Sequence, residues 1–369
     1  MTQLPSPALS PPLLLATDGS PSARMAQTLM QSIATLFVQT QDENSEILVV
    51  VTVQPRPSKR LKRSSKKIAP APSESGLEVV SVEVEGAAAP SSPSGRSQGG
   101  LSLGQLSELV ATNFPPNFPL SLQVRQGRPA TEILNCARSV DAGLIAIGHR
   151  GVGGVRELLL GSVSTAIARY APCSVLVART RADLPAPASL NHALLVVDGS
   201  LAARQTLAIA RQLAPAGIQT VTLLHIQPPL NASYLVTPFV SRTSSWQLNQ
   251  SLQDAHREQG EQILQKAAAT LNNVSNLTVQ TRLHTGDAGP SICQVAQEVG
   301  ANLIILGSDS TRRSLLSPLQ AVRLPRRKQS AANSTRPVLR NTRLSVTDDY
   351  VIHYAPCPVL LCRAVAEES

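Results

Sequence analysis

Aromatic residues are scarce in this chain of 369 residues: Phe, Tyr and Trp make up 2% of it. A core must therefore be built from aliphatic side chains. RNA-recognition and OB-type modules, which stack bases on aromatic platforms, are disfavoured for the same reason. Long apolar runs are missing too, since none reaches the roughly 18 residues that a membrane span requires. The N-terminus lacks the basic-then-apolar order of a secretory signal, so we expect a cytoplasmic protein. The five cysteines, Cys136, Cys173, Cys293, Cys357 and Cys362, are odd in number, scattered and without a CxxC pair. They indicate neither a disulfide framework nor a zinc site, and buried reduced thiols are the expectation.

Hydrophobic residues make up 42% of the chain and charged residues 15%, a globular balance, while 28 prolines and a mean hydropathy of +0.02 point to unstructured stretches between cores. The length suits two domains, each able to bury a core of its own. Charge is concentrated locally. Residues 55–75 hold seven Lys/Arg against one Glu, and residues 310–343 hold nine Lys/Arg and no acid. Because the whole chain carries +9, these two segments supply +15 and the remainder is −6. The basic character thus belongs to two segments and not to the folded body.

An internal repeat organises the sequence. "LLLATDGSPSARMAQTL" (13–29) answers "ALLVVDGSLAARQTLAI" (193–209), pairing Asp18-Gly19-Ser20 with Asp198-Gly199-Ser200. "TVQP" (52–55) answers "HIQP" (225–228), Gly127 faces Gly286, and Gly148 faces Gly307. "RYAPCSVLV" (169–177) answers "HYAPCPVLL" (353–361). Within each unit, short apolar runs alternate with stretches of helical period, the pattern of a parallel sheet covered by helices on both faces. In the first unit, strands are expected near 12–17, 46–53, 120–125, 143–147 and 174–178. The first helix should open with Ser20 as N-cap and Pro21 at the first helical position, and bury Ala26, Leu29, Ile33 and Leu36. The helix after Ser162 shows Val163, Ala166, Ile167 and Tyr170 on one face. The fold class is α/β, two tandem doubly wound units spanning 1–180 and 192–364. A disordered insertion is expected at about 55–104, a linker at 181–191, and a basic insertion at about 309–343.

The segment "GHRGVGGVRELLLGS" (148–162) runs from the end of a buried strand to the start of a helix. Glycines at 148, 151, 153 and 154 let backbone N–H groups approach an anion without a Cβ in the way. Gly161 and Ser162 then open a helix whose first N–H groups lack partners and whose dipole favours negative charge. The segment reads as a phosphate cradle, and it matches neither a Walker A loop nor GxGxxG. In a doubly wound sheet, ligands lie beyond the carboxyl ends of the strands where strand order reverses, a crevice that Asp18 and Gly148 would border if their strands are neighbours. Alone, Asp18-Gly19-Ser20-Pro21 is a turn and a helix cap; beside the glycine loop, Asp18 reads as an acceptor for ribose or base.

Gly148-x2-Gly151-x9-Gly161-Ser162, the early Asp18 and the trailing "APCSVLVAR" resemble the universal stress protein family. The resemblance implies Rossmann-like (adenine nucleotide alpha hydrolase-like) units, each a five-stranded parallel sheet of order 3-2-1-4-5, that bind ATP without being dedicated enzymes. Carried over by position, Ala16, Thr17 and Asp18 would contact adenosine together with Val53. Ile147, Gly148, Arg150, Gly151, Gly161, Ser162, Val163 and Ser164 would hold ribose and phosphates. The resemblance also implies pairing through the last strands, here an intramolecular pseudo-dimer joining 174–178 with 358–362. It leaves room for a further homodimer and a regulatory protein partner that the sequence does not name.

The second unit departs from the pattern. Ser310 stands where a glycine is expected, Ser345 faces Gly161, and Asp309 would repel phosphate, so no nucleotide role is assigned to this half. Its expected task is structural or regulatory. No paired carboxylates, Ser-His-Asp grouping or metal-ligand cluster accompanies the loop, which leaves hydrolysis without candidates and His149 disfavoured as a catalyst. Magnesium, if bound, would arrive with the phosphates and keep its waters. The competing reading is a scaffold or nucleic-acid-associated protein acting through the runs "RPSKRLKRSSKK" (56–67) and "RLPRRK" (323–328).

Overall fold

The computed structural model describes residues 9–39, 45–55, 78–80, 100–150, 160–179, 190–229, 242–308 and 344–363. Gly151, most of the 55–104 segment, the 181–189 part of the linker, the 309–343 insertion and both basic runs lie outside the described residues.

The first unit comprises strands β1 (Leu13–Ala16), β2 (Leu48–Gln54), β3 (Glu78–Val80), β4 (Leu120–Gln126), β5 (Leu144–Gly148) and β6 (Ser174–Ala178). Its helices are α1 (Pro21–Val38), α2 (Leu103–Ala111), α3 (Pro129–Ser139) and α4 (Ser162–Tyr170). The second unit repeats the plan with β7 (His192–Val196), α5 (Leu201–Leu213), β8 (Thr220–Gln227), α6 (Arg242–Leu271), β9 (Thr278–Thr285), α7 (Ala288–Glu298), β10 (Leu303–Ser308), α8 (Val346–Tyr354) and β11 (Val359–Arg363). Together they form one eleven-stranded sheet of order β3-β4-β2-β1-β5-β6-β11-β10-β7-β8-β9. The parallel strands of each unit follow 3-2-1-4-5, the order that the family resemblance implies. One feature departs from that expectation: β3, inside the segment read as a disordered insertion, adds an antiparallel edge strand against β4. Three residues of extended chain satisfy an edge that would otherwise present unpaired N–H and C=O groups. α2 likewise begins at Leu103, within the span assigned to that insertion.

The central strands are continuous apolar runs because both faces of the sheet are covered. Side chains alternate between two core layers. Leu13, Leu15, Leu48 and Val50 meet α1 and α2 on one face, where Leu195 and Leu223 meet α5 and α6. Leu14, Val49, Ile145 and Val175 meet α3 and α4 on the other, where Ile304 and Leu361 meet α7 and α8. In α1, Ala26, Leu29 and Ile33 are buried while Leu36 is only half-buried and Phe37 is buried beside it, and Ser20 caps the helix by accepting from Ala23 N–H with Pro21 at the first position.

The two units join where β6 and β11 pair antiparallel, with Val177 opposite Val359, Leu176 opposite Leu360 and Val175 opposite Leu361. Each core layer therefore runs through both units without a break.

Candidate functional site

β1 and β5 are parallel neighbours, with Ala16 opposite Ile147, and β1 also pairs with β2, with Ala16 opposite Val51. This is the point where strand order reverses. It places Thr17 and Asp18, Val53, and Gly148 to Arg150 at one end of the sheet, the end where crevice ligands bind in this fold. Ala16, Thr17, Val53 and Ile147 are buried, and Asp18 is half-buried. One carboxylate oxygen of Asp18 accepts from Ser20 N–H at 3.0 Å, so the residue also makes the local turn.

Gly148 ends β5 against the first turn of α1. A Cβ there would stand 2.6 Å from Ala23 N and 2.8 Å from Ser22 C, too close for any side chain. Gly307 meets Ala202 in the same way, at 2.7 Å from its carbonyl carbon. The approach recurs in the unit without an intact loop, so it is a requirement of the fold and not of a ligand. Two serines of α1 then anchor the start of the loop. Ser20 Oγ donates to the Arg150 carbonyl at 2.9 Å, Ser22 Oγ contacts that same carbonyl, and Arg150 N–H donates to Ser22 Oγ at 3.2 Å.

The far end of the loop returns to the same place. Gly161 N–H donates to the His149 carbonyl at 2.9 Å, and Ser164 Oγ donates to the carbonyls of Gly148 at 2.7 Å and His149 at 3.2 Å. The Ser164 hydroxyl is thus engaged with the chain itself, and its main-chain N–H, with those of Ser162 and Val163, belongs to the first turn of α4. That helix has glycine as N-cap, no side-chain cap and no acidic residue in its first turn. A helix start of this kind offers free N–H groups and the positive end of the dipole to an anion.

In the second unit the equivalent helix is closed off by its own side chains. Ser345 replaces Gly161 and caps α8, accepting from Asp348 N–H at 3.0 Å, while Asp348 returns the bond from Ser345 N–H at 3.3 Å. Asp348, at the position of Ser164, also accepts from Ser308 Oγ at 2.9 Å and is buried. A carboxyl group thus joins the cap of α8 where α4 carries only a hydroxyl. Burial pushes its pKa up, opposed by the bonds from Ser308 and Ser345 and by Arg363. Because the folded state holds the Asp348 proton more tightly than the unfolded chain, its contribution is favourable at low pH and is lost as pH rises through the raised pKa. Asp348→Asn keeps the acceptor and removes the titration. We expect its stability, measured by denaturant unfolding from acid to neutral pH, to lack the wild-type decline across that window; parallel curves would contradict this.

His149, buried at the loop start, accepts from Arg179 Nη2 through Nε2 at 2.9 Å. Its pKa is pulled down to about 3 by burial first, then by Arg179, Arg150 and His353. The ring is neutral at physiological pH, with the proton on Nδ1 and the acceptor on Nε2. Among the described residues, no group of three or more His, Cys, Asp or Glu is placed to hold a metal ion. No described helix is long and apolar enough to cross a membrane.

Sequence reasoning overlooked Ser20 and Ser22 as anchors of the loop, Asp348 as the residue that closes the second site, and Arg179. The repeat itself carried the signal for two of these, since Ser22 aligns with Ala202 and Ser164 with Asp348.

The pattern of the universal stress protein family matches residues 11–179 and again 190–363. The chain belongs to the universal stress protein family. A relative in Bacillus subtilis, universal stress protein YxiE, is 45% identical over 53 residues, covering 14% of this chain and 36% of the relative. A second, from Thermus aquaticus, is 44% identical over 71 residues, covering 19% of this chain and 50% of the relative. The chain thus spans about a third to a half of the length of these curated relatives. Among solved structures, a protein of unknown function from Pseudomonas aeruginosa shares the fold at 13% identity and a TM-score of 0.52, over 95% of this chain and 92% of that one.

Proposed function

We propose that this universal stress protein is a cytoplasmic, ATP-responsive regulatory protein whose first unit holds one adenine nucleotide and whose second unit holds none. One observation carries the reading. At the crevice between β1 and β5, helix α4 opens with an uncapped glycine, whereas its counterpart α8 opens with a serine cap and a buried aspartate. The residues present suit a nucleotide: the position of Gly161 leaves no Cβ between the loop start and the helix, and Asp18, after β1, would accept from ribose or base. Gly148, Arg150, Gly161, Ser162, Val163 and Ser164 would hold the phosphates, and Ala16, Thr17, Asp18, Val53 and Ile147 would line the adenosine side. Gly151 would complete the cradle. Magnesium would be held by phosphate oxygens and water.

The reading is of a binding protein and not an enzyme. The imidazole nearest the loop is neutral and engaged with Arg179, so it is poorly suited to take a proton from an attacking water at neutral pH. Titration calorimetry of the full chain with ATP tests the proposal: one site per chain is expected. Two sites, or no binding at millimolar ATP, would overturn it.

A further inference from the structure

Arg179 follows β6 in the first unit, yet two of the three acceptors described for its guanidinium belong to the second. It is 8% exposed. Nη1 donates to the Ala355 carbonyl at 2.6 Å, and Nη2 donates to the His353 carbonyl at 2.5 Å and to His149 Nε2 at 2.9 Å. The two carbonyls lie at the C-terminal end of α8, where helix groups lack intrahelical partners and the dipole is negative. A guanidinium in that place caps the helix across the interface, and its donor fork suits several acceptors at once.

The third acceptor ties this cap to the nucleotide loop. His149 uses its ring for Arg179 and its carbonyl for Gly161 N–H and Ser164 Oγ, the opening of α4. Its own N–H donates to the Ala178 carbonyl at 2.6 Å, which holds the loop start against β6. The neutral ring is what permits the Arg179 bond, because a protonated imidazole offers no acceptor.

The pseudo-symmetric residue completes the circuit. Arg363 aligns with Arg179 and reaches back into the first unit, donating through Nη2 to the Ala168 carbonyl in α4 at 2.5 Å and through its N–H to Ser174 Oγ at 3.2 Å. Helix α4 is therefore held at its opening by His149 and near its end by an arginine of the other unit. Breaking either arginine contact leaves a buried charge short of partners, which is strongly unfavourable.

We propose that His149 and Arg179 form a relay through which ligand occupancy of the first unit sets the firmness with which α8 of the second unit is docked. The second unit becomes the reader of the first, which gives its closed anion site a regulatory purpose. The relay rests on the nucleotide reading of the first unit.

The test is hydrogen–deuterium exchange of the full chain with and without ATP, followed at residues 346–355, with ATP binding measured separately by calorimetry. The wild type should show amide exchange in α8 slowed by about fivefold or more on saturation, the lower end of ordinary coupling between sites. His149→Phe keeps a ring and removes the acceptor: it should bind ATP while α8 no longer responds. If that variant does not fold, Arg179→Lys serves instead, since one ammonium nitrogen cannot stand at the positions of both Nη1 and Nη2, and it too should lose the response. Bound ATP with unchanged exchange in wild-type α8, or a full response in the folded variant, would overturn the relay and leave the nucleotide site standing. ATP that does not bind would remove both.

Discussion

Gly161→Val is expected to weaken ATP binding by about a hundredfold, a change of about 2.7 kcal/mol, while leaving the chain folded. A Cβ at this position would stand 3.3 Å from the His149 carbonyl oxygen and 3.6 Å from Arg150 Cα. That is tight but tolerable for one carbon, and the two methyls of valine must find further room beside the loop start and Ser164. The backbone itself poses no obstacle, because Gly161 has φ −66° and ψ 150°, values open to any residue. The loss therefore falls on the anion site and much less on stability, where a poorer N-cap costs about 0.5–2 kcal/mol. Calorimetry and thermal unfolding of the same preparation separate the two effects. Unchanged affinity in a folded Gly161→Val protein would contradict the site assignment.

Leu360→Asp is expected to lower the melting temperature by about 10 °C or to prevent folding, because a carboxylate would enter the join between the units. Leu360 is fully buried opposite Leu176, in the core layer that runs through both halves. Burying an unpaired charge or forcing its neutralisation costs several kcal/mol, against a total stability of about 5–15 kcal/mol. At roughly 2–4 °C per kcal/mol for a unit of this size, the shift is easily measured by calorimetric melting. A wild-type melting curve would show that the β6–β11 ladder contributes little to stability.

The sheet was readable from the sequence because both faces of the central strands are covered, so "LLLA" and "LIAIG" stand out as apolar runs between helical periods. Gly148 and Asp18 were found by their place after such strands. The reading lost detail wherever the cause was long-range. The antiparallel strand at 78–80 lies in a segment of low hydrophobicity and is stabilised by the edge it meets, which no local pattern records. The His149–Arg179 contact joins residues 30 apart, and the α8 carbonyls that Arg179 caps are about 175 residues away, so neither could be seen in a window of sequence. Asp348 was missed for a different reason. The glycine missing from the second loop points to Asp309, which lies outside the described residues, whereas the carboxyl that joins the cap sits on the following helix.

The central claim is an asymmetry between two copies of one fold: α4 of the first opens with an uncapped glycine, which the proposal assigns to a phosphate, and α8 of the second opens with the Ser345–Asp348 capping box. Native mass spectrometry of the intact chain equilibrated with ATP tests this most directly. One added nucleotide per chain, absent from Gly161→Val and retained in Asp348→Asn, is the predicted result. Two nucleotides per chain, or one that persists in Gly161→Val, would contradict it.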